Sequence, residues 1–161
     1  MMEAYSEAAQ KLFLLNNMLR SVFPDCPFMA STLNLGPKTV TKEHRDGRNL
    51  GFGLCCIMVF GNFDHRQGGH LKLKEPNVTM EVAPGCAVFI PSAIVTHSNT
   101  PIGETDKRYS LTLYSAGSLF LWVDNDGQKL KSLPPHRLLD YKSSSEKRWR
   151  AGWKLYRTWS S

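Results

Sequence analysis

Arg108-Tyr109-Ser110-Leu111-Thr112-Leu113-Tyr114 is the stretch that decides how this chain folds. Its period is two: a cation and three hydroxyl carriers hold the even positions, with Tyr109, Leu111 and Leu113 between them. Such alternation marks a β-strand with an apolar face toward a core and a polar face toward something else. Other β-prone runs precede it at 28–35, 54–60, 70–74, 78–82, 87–90 and 94–97, and another follows at 119–123. Gly36-Pro37, Gly68-Gly69, Pro84-Gly85 and Pro101-Ile102-Gly103 punctuate them as turns. The gaps cannot hold crossover helices, so about eight short strands imply a sandwich or open barrel and exclude a βαβ fold.

Helices flank the strands. Residues 5–20 read as an amphipathic helix with Leu12, Leu15 and Leu19 on one stripe, widened by Phe13 and ended by Pro24 and Pro27. Residues 143–158 carry a weaker helical pattern that puts Trp149, Trp153 and Tyr156 on one stripe among Lys147, Arg148, Arg150 and Lys154. Either these aromatics dock on the β-core while the cations face water, or the two together hold nucleic acid by phosphate contacts and stacking.

The 161 residues suit one domain with one core. The net charge of +6 is unevenly placed, because residues 129–161 hold nine lysines and arginines against Asp140 and Glu146. Any basic footprint therefore belongs to that C-terminal extension. No apolar run approaches the roughly 20 residues that cross a bilayer, so no membrane partner is expected. The polar, acidic start lacks the pattern of a secretory signal. Cys26, Cys55, Cys56 and Cys86 form neither a C-x-x-C pair nor a disulfide framework, and three of them sit in apolar segments as reduced core residues. A nuclear or cytoplasmic setting follows from these features.

Chemistry concentrates in His44-Arg45-Asp46. In an extended segment His44 and Asp46 project to one side and Arg45 to the other, so an imidazole and a carboxylate can grip one metal. His97, at the end of the 94–97 run, would complete a triad from elsewhere in the barrel. Two histidines and one carboxylate leave an octahedral ferrous ion with adjacent open positions, suited to an α-keto acid and then dioxygen. Arg108, on the polar face of its strand, needs an anionic partner if buried. The distal carboxylate of 2-oxoglutarate supplies one through a bidentate pair, with Ser110 adding a further bond. Asn49 either contacts the metal-binding end of that cosubstrate or caps the turn after Asp46. His70, opening a strand after Gly68-Gly69, and Tyr114 are candidates for a substrate pocket, whereas His65 and His136 read as surface residues.

Taken in order, His44-x-Asp46, Gly68-Gly69-His70-Leu71, Pro84-Gly85, Pro91-Ser92, His97-Ser98-Asn99 and Arg108-Tyr109-Ser110 resemble the Fe(II)- and 2-oxoglutarate-dependent dioxygenases. With the closing Gly117-Ser118-Leu119-Phe120-Leu121-Trp122-Val123, they look most like fungal members related to the TET/JBP nucleic-acid base oxygenases. The resemblance implies a mainly β chain: a double-stranded β-helix (jelly-roll or cupin-like) core over 28–124, with an N-terminal helix and a C-terminal helix in the 129–161 extension. It implies iron on His44, Asp46 and His97, 2-oxoglutarate on Arg108 with Ser110 and Asn49, and O2 as cosubstrate. The reaction it implies is hydroxylation of a C–H bond, that of a methylated nucleobase such as 5-methylcytosine, with DNA or RNA as partner. Hydroxylation of a peptide side chain or small metabolite stays open, as does a non-catalytic cupin-like metal-binding module. The oligomeric state is not legible.

Overall fold

The alternation at 107–114 becomes the longest ladder of the molecule. A computed structural model describes residues 1–21 and 23–157 and divides them into two compact units, Ala30–Ser115 and a second made of Met1–Met29 with Ala116–Ser161. The first unit holds seven strands: β1 (Ala30–Asn34), β2 (Cys55–Asn62), β3 (Leu71–Leu73), β4 (Val78–Met80), β5 (Ala87–Ile90), β6 (His97–Asn99) and β7 (Lys107–Tyr114). They form a four-stranded antiparallel sheet in the order β1-β7-β2-β5 and a three-stranded antiparallel sheet in the order β4-β3-β6. A core of Cys55, Val59, Phe63, Leu71, Val82 and Ile90 draws on both sheets and so lies between them.

Register sorts the side chains of β7. Ser110 is opposite Asn34 and Val59, and Thr112 opposite Thr32 and Ile57, so these share one face of the sheet. Arg108 is opposite Gly61, whose φ of 122° leaves no room for a side chain, since a Cβ there would stand 2.1 Å from the carbonyl oxygen of Lys107. On the other face Leu111 and Leu113 are buried, as alternation requires.

The second unit is helical: α1 (Met2–Leu15), α2 (Gly117–Asp124), α3 (Pro135–Ser143) and α4 (Ser145–Arg157). The buried stripe of α1 is Tyr5, Ala8, Ala9 and Leu12, and the Tyr5 ring meets Phe28 at 5.5 Å and Phe120 of α2 at 5.3 Å. Expectation and structure part here. The stripe of leucines is displaced toward the N-terminus, with Leu15 and Leu19 exposed, because two alanines carry the closest packing and alanine is a weak hydrophobic marker. The helix stops at Leu15 and not near Arg20, because Asn16 leaves helical geometry and its Oδ1 accepts a bond from the Met18 N–H at 3.1 Å.

The run at 119–123 is helix α2 and not a strand. It is apolar without alternation, so periodicity does not separate a short buried strand from a helical turn. Asn125 ends it by donating its side-chain amide to the Leu121 carbonyl at 2.7 Å. Helix α3, with Pro135 at its first position, was not expected. The C-terminal helix was expected over 143–158; it is described over Ser145–Arg157, and Thr158 lies outside the described residues. Along α4, Trp149 meets Trp153 edge-on at 5.4 Å and Trp153 stacks on Tyr156 at 5.2 Å, while the Arg148 guanidinium lies 3.8 Å over the Tyr141 ring of α3. No disulfide joins the cysteines among the described residues; Cys55 and Cys56 are core residues, whereas Cys86 is exposed. No helix is long and apolar enough to cross a membrane among the described residues.

Candidate metal centre

Residues 41–46 have no regular ladder of their own, so separate bonds hold them against β6. Thr41 donates its N–H and its hydroxyl to Asn99 Oδ1 at 2.8 and 2.7 Å, and Asn99 Nδ2 donates to the carbonyls of Thr39 and Thr100. His44 and His97 then exchange two backbone bonds as a β-bridge, N–H to oxygen at 3.1 and 2.9 Å. Antiparallel pairing at that point brings the two imidazoles to a ring separation of 4.3 Å. The Asp46 N–H donates to the carbonyl of Ser92 at 2.9 Å, which turns its carboxylate to the same place.

Each ring nitrogen is assigned by its partner. His44 Nδ1 lies 2.8 Å from the Lys42 carbonyl and His97 Nδ1 lies 3.0 Å from that of Val95. A carbonyl only accepts, so both Nδ1 atoms carry hydrogen, and in the neutral imidazole this leaves the Nε2 lone pair available. Those lone pairs face Asp46, with His44 Nε2 at 3.7 Å from Oδ1 and His97 Nε2 at 3.9 Å from Oδ2. One ligand atom from each of the three residues falls within 4.8 Å of the others. Two donors on one ion with bonds of about 2.1 Å stand roughly 3 to 4.2 Å apart, so these three residues are close enough together to be candidates for holding one metal ion. Carbonyl bonds fixing the far ring nitrogens are what metal-ligating histidines require.

The triad opens on a cavity of about 330 Å³. Its walls include Arg108, Ser110, Thr112 and Tyr114, so all four even residues of the 108–114 run face it. Arg108 is 4% exposed; its Cδ would lie 3.1 Å from a Cβ built on Gly69, and its Nε has no hydrogen-bond partner among the described residues. Burial pushes its pKa down, and no carboxylate pairs with it among the described residues. A buried cation without an anion is costly, and the side open to the cavity is where an anion can come. Ser110 Oγ accepts from Asn34 Nδ2 at 3.0 Å, which leaves its own hydroxyl hydrogen free to donate.

Of the two roles weighed for Asn49, the structure displays the one in the turn after Asp46. Its N–H closes the turn on the Asp46 carbonyl at 2.8 Å, and its Nδ2 reaches Asp46 Oδ2 at 3.4 Å and Ser92 Oγ at 3.2 Å. It lines the cavity and braces a ligand carboxylate. Tyr114 also lines the cavity, with its hydroxyl oxygen 3.4 Å from that of Thr32. His70 is not among the lining residues; its backbone exchanges bonds with Thr100, and its buried Nε2 has no hydrogen-bond partner among the described residues. His97 begins β6 instead of ending a strand, because Pro91 caps a turn through 92–95. Arg45 points away from the cavity, as alternation predicts.

Several residues of the site escaped sequence reasoning. Asn99 and Ser92 do their work through single long-range bonds that leave no periodic trace. The wall from β1 did leave one: Thr32 and Asn34 face the cavity, while Leu33 and Leu35 are 61% and 69% exposed. That inverted alternation, polar inside and apolar outside, was there to be read. Cys55 also lines the cavity, and burial raises its thiol to about 11, which favours the protonated thiol over the thiolate.

No protein-family model and no curated protein sequence matches this chain. Among solved structures it resembles that of NgTET1 in complex with 5mC DNA, with a TM-score of 0.52 and 20% identity over 68% of this chain. The match spans 42% of the NgTET1 chain, so this protein corresponds to less than half of it. A likeness at that identity is one of fold alone.

Proposed function

We propose that this protein is an Fe(II)- and 2-oxoglutarate-dependent dioxygenase on a double-stranded β-helix, and that it hydroxylates the methyl group of a modified nucleobase such as 5-methylcytosine. The carrying observation is Arg108, a buried guanidinium without an anion, in the wall of the cavity on which His44, Asp46 and His97 converge. A metal triad alone fits many proteins. A triad sharing its cavity with an orphaned cation calls for a ligand with a metal-binding end and a distant negative charge. 2-Oxoglutarate has both.

In this reading His44, Asp46 and His97 hold the ion, and Asn49 keeps the Asp46 carboxylate turned toward it. Arg108 takes the far carboxylate in a bidentate pair and Ser110 donates to it. When bound, iron and 2-oxoglutarate supply dioxygen activation coupled to decarboxylation, giving succinate, carbon dioxide and a hydroxylated substrate. The protein's own part is to orient and to exclude water. Ile57 and Leu71 provide dry wall, and Thr32, Thr112 and Tyr114 provide hydrogen-bonding edges for a polar planar group. The choice of a base rests on the likeness in fold to a protein solved with 5mC DNA and on the basic, aromatic helix α4.

The test is succinate formation from 2-oxoglutarate with Fe(II) in the presence of 5-methylcytosine-bearing DNA or RNA, single- or double-stranded, with mass analysis of the base. The expected result is uptake of one oxygen atom by the base, abolished in H44A and R108A. Turnover with a peptide or small metabolite but never with a base would keep the oxygenase and remove the substrate. Tight metal binding with no turnover of any kind would leave a non-catalytic metal-binding module.

A further inference from the structure

The outer side of the ligand-bearing segment is tied down as firmly as the inner side. Even positions 44 and 46 face the cavity, and odd positions 43 and 45 face the end of β3. There Lys74 Nζ lies 2.6 Å from Glu43 Oε2, and Glu75 meets Arg45 Nη2 at 2.5 Å. Thr96, the neighbour of His97, closes the second contact into a ring. Its N–H donates to Glu75 Oε2 at 2.7 Å and its hydroxyl to Glu75 Oε1 at 2.7 Å, while Arg45 Nε donates to Thr96 Oγ1 at 2.8 Å. The Thr96 carbonyl in turn accepts the Lys74 N–H at 2.9 Å. Arg45 stands between two ligands in sequence and Thr96 beside the third. Glu75 therefore joins both ligand-bearing segments through one carboxylate.

We propose that Arg45, Glu75 and Thr96 form a clamp that preorganises the metal triad, so that Glu75, which never touches the ion, is a positioning residue for it. This rests on the metal-site reading above. The physical reason is entropy. Residues 43–46 are held to β6 by a two-residue bridge only, and ordering a loose segment at the moment of binding subtracts from affinity. Surface ion pairs contribute little by themselves. Here the carboxylate accepts three bonds from two segments, and geometry, more than Coulomb attraction, is what it supplies.

The experiment is titration of the metal-free full chain with Co(II), followed by its visible absorption, beside thermal unfolding without metal. Partners outside the immediate ligands characteristically change metal affinity tenfold or more. E75A and T96V are expected to raise the Co(II) Kd about tenfold, T96S to stay near wild type, and E75A/T96V to be no worse than either alone, since both remove one network. K74M removes the neighbouring, more exposed single contact and is expected to change Kd by less than about twofold. A lowered Tm with unchanged Kd in E75A and T96V would overturn the clamp while leaving the triad intact. Failure of wild type to take up Co(II) would overturn triad and clamp together.

Discussion

Replacing Arg108 by methionine separates binding from stability in opposite directions. Methionine keeps an unbranched stem against Gly69 and removes the guanidinium. In the ligand-free protein that guanidinium is buried, and its Nε has no partner. Leaving one buried donor unsatisfied costs about 1–3 kcal/mol, and methionine removes that cost at the expense of little packing. R108M should therefore be more stable than wild type by about 1 kcal/mol, or about 2–4 °C in Tm for a chain of this size. Cosubstrate affinity moves the other way. Two charge-assisted bonds at about 1.5–3 kcal/mol each amount to roughly 3–6 kcal/mol, or about 10²- to 10⁴-fold in Kd. Calorimetric titration of 2-oxoglutarate into anaerobic Mn(II)-loaded protein reads the second effect, and thermal unfolding without ligand reads the first. R108K should recover only part of the affinity, because a point ammonium does not reproduce the fork. If R108M lost several kcal/mol of stability and bound 2-oxoglutarate as before, Arg108 would be a structural residue and the reading of the cavity would fall.

Three further outcomes follow from particular contacts. N99A removes four side-chain bonds around Thr41 and should cost about 2–4 kcal/mol, seen as a drop of several degrees in Tm with N99D intermediate; an unchanged Tm would mean that the 39–41 segment is held elsewhere. G61A forces a Cβ onto the Lys107 carbonyl at a φ that disfavours side chains, and urea unfolding should show a loss of about 3 kcal/mol or more. Glu75 is held at about 2, mainly by the Thr96 hydroxyl, against an ordinary value of 4.5. A depressed carboxylate contributes stability that is present above its unfolded pKa and lost as pH falls through the folded one. Tm should accordingly fall more steeply from pH 4.5 to 2 in wild type than in E75Q, and parallel curves would contradict that assignment.

How far the sequence could be read depended on the range of the contact. The polar face of β7 was legible because period two is a local signal, and all four even residues reached the cavity. His44 and Asp46 were legible for the same reason, with Arg45 turned outward between them. His97 and Arg108 needed the chemistry of a site to connect them, because nothing local says that residue 97 pairs with residue 44. Where tertiary contacts override local pattern, the reading slipped. Residues 119–123 have the composition of a strand and are a helix, and α1 buries alanines where leucines were the obvious choice. The bracing roles of Asn99 and Glu75 were invisible for a simpler reason: a single polar residue acquires such a role only from the segment it ties, and that segment is 58 residues away for Asn99 at Thr41 and 30 for Glu75 at Arg45.

The strand order β1-β7-β2-β5 also says where the cavity can yield. Its polar floor on β7 is laced on both sides, by β1 and by β2, and does not move without breaking two ladders. Its side wall on β1 hangs from β7 alone. Thr32 and Asn34 are thus set on an edge strand of the four-stranded sheet, and a guest too wide for about 330 Å³ is expected to press that edge outward before it displaces β7. If the cavity takes a guest, the width it accepts is expected to depend on five residues, Ala30–Asn34, that pair with β7 and with no residue of the triad.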